Sequence, residues 1–201
     1  EALGKKTDEF HRNCGDSCWF IGPDFLRDDY TKLGVSFVQG PEEASFILNA
    51  MPGTYDFDDG LLTAQLETVF SRNLPMVCAN PDLVVHIGDT LHKCAGTYAK
   101  IYEEMGGKVA YHGKPYGQVY DMALKALGIS DKRRVIAIGD SLHTDIQGAQ
   151  NAGIDSIFNL VGIHREEVLM DQSADIDLDK VRLVIQNQPH IPTAVMAGLQ
   201  W

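Results

Sequence analysis

Positive charge is scarce in this chain. Seventeen lysines and arginines stand against twenty-eight aspartates and glutamates, a net charge of −11 over 201 residues. No basic field gathers phosphodiesters, which excludes a nucleic-acid partner. No uninterrupted apolar run is long enough for a membrane-spanning helix, and no secretory leader is visible. Cysteine is sparse: Cys14, Cys18, Cys78 and Cys94. Three residues separate the first two and no second close pair exists, so a four-ligand zinc site is not expected. Scattered free thiols fit a cytoplasmic protein. Neither Gly-x-Gly-x-x-Gly nor a Walker lysine motif occurs, which disfavours a dinucleotide-binding oxidoreductase. Ser45 and Ser141 lack the surroundings of a hydrolase nucleophile. His86, His92, His112, His143 and His164 form no helical pair and read as surface or loop residues. Asp171, Asp175, Asp177 and Asp179 lack the glycine and closing glutamate of a calcium loop and read as a solvated stretch.

What is present is an alternation of two periodicities. Short apolar runs at 18–24, 35–38, 45–48, 76–79, 109–112, 135–138, 156–160 and 193–196 read as strands. Helical spacing appears at 25–33, 61–70, 94–105, 117–127, 145–152 and 181–185, often stopped by glycine. Strands alternating with helices predict an α/β fold with mostly parallel pairing.

The most informative stretch is Arg134-Val135-Ile136-Ala137-Ile138-Gly139-Asp140-Ser141-Leu142-His143-Thr144-Asp145. It reads as a buried parallel strand that stops at glycine and delivers two carboxylates into the following turn. Open α/β sheets place chemistry at the carboxyl ends of their strands. Asp140 there can ligate a hard cation such as Mg²⁺, and Asp145 can cap amides or hold a metal-bound water. Upstream, Lys114 in His112-Gly113-Lys114-Pro115 sits at a second strand end, where a fixed cation neutralises a phosphate. Turn and cap aspartates beside a solvated surface lysine remain the alternative on spacing alone.

Gly113-Lys114-Pro115, then Gly139 to Ile146, Gly148-Ala149 and Ala152-Gly153-Ile154 together resemble the haloacid dehalogenase-like hydrolases. Asn80-Pro81-Asp82 is similar to the cap-loop signature of their NagD-like, class IIA phosphatases, although Asn-Pro-Asp is also a plain turn. The resemblance implies a Rossmann-like core with an inserted α/β cap domain. It implies a Mg²⁺-dependent phosphatase of small phosphorylated metabolites, working through an aspartyl-phosphate. Asp140 and Asp145 become the metal residues, Lys114 the catalytic cation, and Asn80 and Asp82 the substrate-facing cap residues.

One departure stands out. The family's Asp-x-Asp nucleophile, followed by glycine on an apolar strand ahead of the cap, is not found. Asp56-Phe57-Asp58-Asp59-Gly60 has the spelling, but Pro52-Gly53-Thr54-Tyr55 precedes it and it falls within the cap, so it reads as a turn into a helix. Glu1 to Lys6 reads as the end of a helix already under way, which suggests a processed or truncated chain. Residues 1–11 are then a core remnant or linker, 12–88 the cap and 89–201 a partial core. On this reading the chain by itself is inactive, and the strand at 135–138 offers an open edge for pairing with another chain, a homo-oligomer among the outcomes. The competing class is a non-catalytic α/β ligand-binding or interaction domain.

Overall fold

The computed structural model describes residues 2–50, 59–87, 90–170 and 175–199. They fall into two compact units, divided between His112 and Gly113.

The first unit opens with two short helices, α1 (Ala2–Lys5) and α2 (Glu9–Asn13). The chain continues through β1 (Ser17–Ile21), α3 (Asp24–Thr31), β2 (Ser36–Val38), β3 (Phe46–Asn49), α4 (Asp59–Ser71) and β4 (Met76–Cys78). A hairpin of β5 (Val84–Ile87) and β6 (Thr90–Lys93) precedes α5 (Ala95–Glu104) and β7 (Val109–Tyr111). Five strands form one parallel sheet in the order β2-β1-β3-β4-β7.

Strand periodicity explains how this sheet is covered. Successive side chains point to opposite faces. Trp19, Ile21, Ile47, Met76 and Cys78 pack on one side with Leu62, Leu66 and Val69 of α4 and Tyr98 and Tyr102 of α5. Cys18, Phe20, Phe46, Leu48 and Val77 pack on the other with Phe10, Leu26 and Tyr30. Both faces are therefore dry, and all four residues of β3 are buried, as expected of a central parallel strand. Buried Tyr102 donates its hydroxyl to the Leu74 carbonyl at 2.6 Å.

The expected division after residue 88 differs from this arrangement. Met76, Val77 and Cys78 pair in register with Val109, Ala110 and Tyr111, which places α5 and β7 in the first unit. The pairing is between segments over thirty positions apart and leaves no local mark in the sequence.

The second unit contains α6 (Gly117–Ala126), β8 (Ile136–Gly139), α7 (Gln147–Ala152), β9 (Asp155–Asn159), α8 (Arg165–Val168), α9 (Leu178–Gln186) and β10 (Ala194–Met196). Its three strands are parallel, in the order β10-β9-β8. Phe158, Leu160, Leu142, Ile146, Val168 and Val181 form one cluster. Leu124, Ala152 and Ile154 form another against Tyr120, Val135 and Ala137. Strand β8 is not the buried strand its composition predicts. It pairs only with β9 among the described residues, and Ile136 and Ile138 remain 49% and 44% exposed. The acidic stretch is more than solvated: Asp177 caps α9, accepting from the amides of Asp179 and Lys180. Asp171 and Asp56 to Asp58 lie outside the described residues, while Asp59 and Gly60 open α4.

Candidate active site

The site is built where β8 ends. A Cβ on Gly139 would lie 2.2 Å from Asp145 Cγ; only glycine lets the Asp145 carboxylate fold back under the strand terminus. The return is made by one wide turn over Leu142–Ile146, in which the Ile146 amide reaches the Ser141 carbonyl at 3.1 Å. Such turns recur at functional positions. The Ser141 hydroxyl is occupied in capping it, accepting from the Thr144 amide.

Asp145 is engaged at both carboxylate oxygens by this geometry. Its Oδ2 accepts from the amides of Asp140 and Ser141, both at 3.1 Å. Its Oδ1 accepts from Lys114 Nζ at 2.6 Å, with the carboxylate side chain 12% and the lysine side chain 43% exposed. The lysine charge is thus held at the strand end by a carboxylate that is itself fixed by two amides. Tyr120 closes one flank, its hydroxyl donating to the Asp145 carbonyl at 3.3 Å. Burial, reinforced by the Asp145 charge, pushes that phenol's pKa up.

Asp140 is held differently. Its Oδ2 accepts from the Ile163 amide at 3.1 Å, and a Cβ on Gly162 would fall 2.0 Å from that same oxygen. The loop after β9 therefore lies flush against Asp140. Its Oδ1 accepts no hydrogen bond among the described residues. Among the described residues no three His, Cys, Asp or Glu side chains cluster as a metal site. The donor set suits a hard cation that keeps most of its water and takes one carboxylate oxygen, the habit of Mg²⁺.

With this geometry in view, a HAD-hydrolase-like family model matches residues 111–182, the span from β7 into α9 that carries Lys114, Asp140 and Asp145. A solved haloacid dehalogenase-like hydrolase from Brucella suis 1330 is 31% identical, with a TM-score of 0.72, over 98% of this chain and 71% of that one. The chain belongs to the haloacid dehalogenase-like hydrolases. A p-nitrophenyl phosphatase from Archaeoglobus fulgidus shares the fold at 18% identity and a TM-score of 0.67, over 98% of this chain and 70% of that one. The 5'-nucleotidase YutF of Bacillus subtilis is 25% identical over 159 residues, 77% of this chain; the match spans 59% of that protein.

In this haloacid dehalogenase-like chain, Lys114, Asp140 and Asp145 come together in the second unit. Asn80 and Asp82 belong to the first, in the loop that follows β4. There Asn80 Oδ1 accepts from the Asp82 amide at 3.2 Å, and the Asp82 carbonyl accepts from the Gly96 amide at the start of α5. No described strand delivers an Asp-x-Asp pair. Those at 175–179 lead into α9, with Asp177 used as its cap.

Two histidine arrangements were not legible in the sequence. Buried His11 holds the Asp8 carboxylate through Nδ1 at 2.7 Å, and its Nε2 stands 2.9 Å from His112 Nε2. Burial first, and His11 second, lower the pKa of His112. His164, expected at the surface, is only 8% exposed. Its Nδ1 lies 2.7 Å from Glu167 Oε1, while its Nε2, like Thr144 Oγ1, is buried with no partner among the described residues. Leaving such a group unpaired costs about 1–3 kcal/mol. The i,i+3 spacing of His164 and Glu167 was the available signal. The four thiols are unpaired and buried, and desolvation raises Cys18 and Cys78 to about 12, so they are poor nucleophiles.

Proposed function

We propose that this chain carries the cation and phosphate end of a Mg²⁺-dependent phosphatase acting on small phosphorylated metabolites. The observation that carries the reading is the Lys114–Asp145 pair fixed on the amides of Asp140 and Ser141 beside an Asp140 carboxylate with one uncommitted oxygen. In this reading Asp140 Oδ1 holds Mg²⁺, whose chemistry is charge neutralisation at the phosphoryl group. Asp145 orients Lys114 and supports the metal's water shell. Lys114 places a point charge where phosphate oxygens gather. Asn80 and Asp82 are the substrate-facing residues of the cap loop.

The aspartyl-phosphate route requires a nucleophile that no described strand carries. We assign the activity to the complete protein and expect the 201-residue chain alone to be inactive. The exposed Ile136 and Ile138, and the pairing of β8 with β9 alone among the described residues, support a strand edge that takes up a further strand, in a homo-oligomer or from elsewhere. Unpaired, buried thiols support a reducing, cytoplasmic setting. Among the described residues no helix is long and apolar enough to cross a membrane.

The test is hydrolysis of p-nitrophenyl phosphate in Mg²⁺ by the complete protein and by this chain. Turnover by the former and not the latter is expected. Silence in the complete protein contradicts the phosphatase reading; turnover by the chain contradicts its inactivity.

A further inference from the structure

We infer that His164, tethered by Glu167, is a positioning residue that seats the loop after β9 against Asp140. The inference rests on the proposed role of Asp140 and adds the residue that sets its geometry. The chain of contacts is short. Ile163 donates its amide to Asp140 Oδ2, and Gly162 lies against the same carboxylate with no room for a side chain. The next residue is His164, at the start of α8. Its ring meets Phe158 of β9 edge-on, with centroids 5.6 Å apart and planes at 73°. Its Nδ1 is bonded to Glu167 one helical turn on. The ring therefore ties the loop to the sheet on one side and to α8 on the other. Asp140 is what the loop presents its amide to.

The choice of residue points to function rather than packing. The position is buried and lined in part by Phe158. A hydrophobic ring would fill it with no unpaired nitrogen, whereas His164 leaves Nε2 buried and unsatisfied. Retention of an orphaned polar group in a core is a local cost, and such costs concentrate at working sites. The compensating gain is directional: only a donor at the Nδ1 position can hold Glu167 and fix the rotation of the loop. Thr144 Oγ1, in the turn after β8, is likewise buried without a partner. These two of the four orphaned atoms among the described residues sit in the loops that flank Asp140, the others being Arg27 Nε and Asn49 Oδ1 of the first unit; His143 and His164 stand ring to ring at 6.4 Å.

The experiment compares His164→Phe with His164→Asn in the full 201-residue chain. Phenylalanine keeps the ring and removes the donor. Asparagine loses the ring and keeps an N–H near the Nδ1 position. Amide hydrogen exchange at Ile163 reads the contact with Asp140 directly, with Ile157 of the central strand β9 in the same unit as the reference for opening of that unit. Mn²⁺ affinity, measured by paramagnetic relaxation, reads the consequence. Expected are exchange at Ile163 at least tenfold faster and Mn²⁺ affinity several-fold weaker in His164→Phe, with its melting temperature no lower than that of His164→Asn. His164→Asn is expected to exchange at Ile163 within about threefold of the parent. Parent-like exchange in His164→Phe overturns the inference. So does acceleration that follows lost stability in both variants, which is the signature of packing alone. If the parent binds no Mn²⁺, the cation role of Asp140 fails, and the exchange comparison still decides the role of His164.

Discussion

The two units of this molecule treat the same element, a short parallel β-strand, in opposite ways. In β3 every side chain is buried, between β1 and β4 and under helices on both faces. In β8, Ile136 and Ile138 are nearly half exposed, and among the described residues only β9 is hydrogen-bonded to the strand. The first unit spends its sequence on a closed core. The second places the Lys114–Asp145 pair, the tight contacts of Gly139 and Gly162 and the orphaned Thr144 Oγ1 and His164 Nε2 around the end of β8. If the proposed role of the β8 end holds, mutations in β3 should report mainly on stability and mutations around the end of β8 also on cation response and turnover.

The largest expected effect breaks the core. Phe46→Ala in β3 should cost about 3–5 kcal/mol in denaturant titration, the usual toll of emptying a fully buried aromatic site. Ile138→Ala in β8 should cost under about 1 kcal/mol, since much of that side chain already meets water. Comparable losses at the two positions would erase the contrast. Next comes Gly139→Ala. Its new methyl collides with Asp145, and overpacking of this kind costs about 1–3 kcal/mol. It should also abolish any response to Mg²⁺, unlike Phe46→Ala tested where it is still folded.

Lys114→Ala sharpens the comparison from the other side. The lysine is partly solvent-exposed, so its loss should destabilise by only about 1 kcal/mol. Phosphate-ester turnover by the complete protein should nonetheless fall on the order of a hundredfold or more, as when a preorganised charge is removed from a reacting centre. The smallest effect belongs to His112. Its pKa in the folded state lies below the ordinary value of 6.5, through burial and then His11, with Asp8 opposing. The unfolded chain therefore binds the extra proton first. Stability should be full above about pH 6.5 and decline as pH falls below it. His112→Gln should flatten that decline in pH-dependent melting.

Much of this organisation was written locally. The apolar runs at Trp19-Phe20-Ile21, Phe46-Ile47-Leu48 and Met76-Val77-Cys78 read as strands, and Gly139-Asp140 announced a turn with a carboxylate on it. Lys114 and Asp145 were recognised separately; their 2.6 Å contact joins positions 31 apart, which spacing does not encode. The β5–β6 hairpin escaped notice because its second strand, Thr90-Leu91-His92-Lys93, is mostly exposed and carries no apolar alternation. The helix Glu9–Asn13 is a single turn capped by Asp8, too short for periodicity to reveal. His164 reads as a loop residue because its one sequence signal, the i,i+3 spacing to Glu167, is shared with many exposed pairs, and its contact with Phe158 leaves no local mark.

In the proposed function the free oxygen of Asp140, beside the Lys114–Asp145 pair, receives a divalent cation. Thermal melting of the chain across a Mg²⁺ titration, in parallel with Asp140→Asn, tests it most directly, because a ligand that binds only the folded state must raise its stability. The melting temperature is expected to climb with Mg²⁺ in the parent and to stay flat in Asp140→Asn. A flat parent, or an equal climb in both, contradicts it.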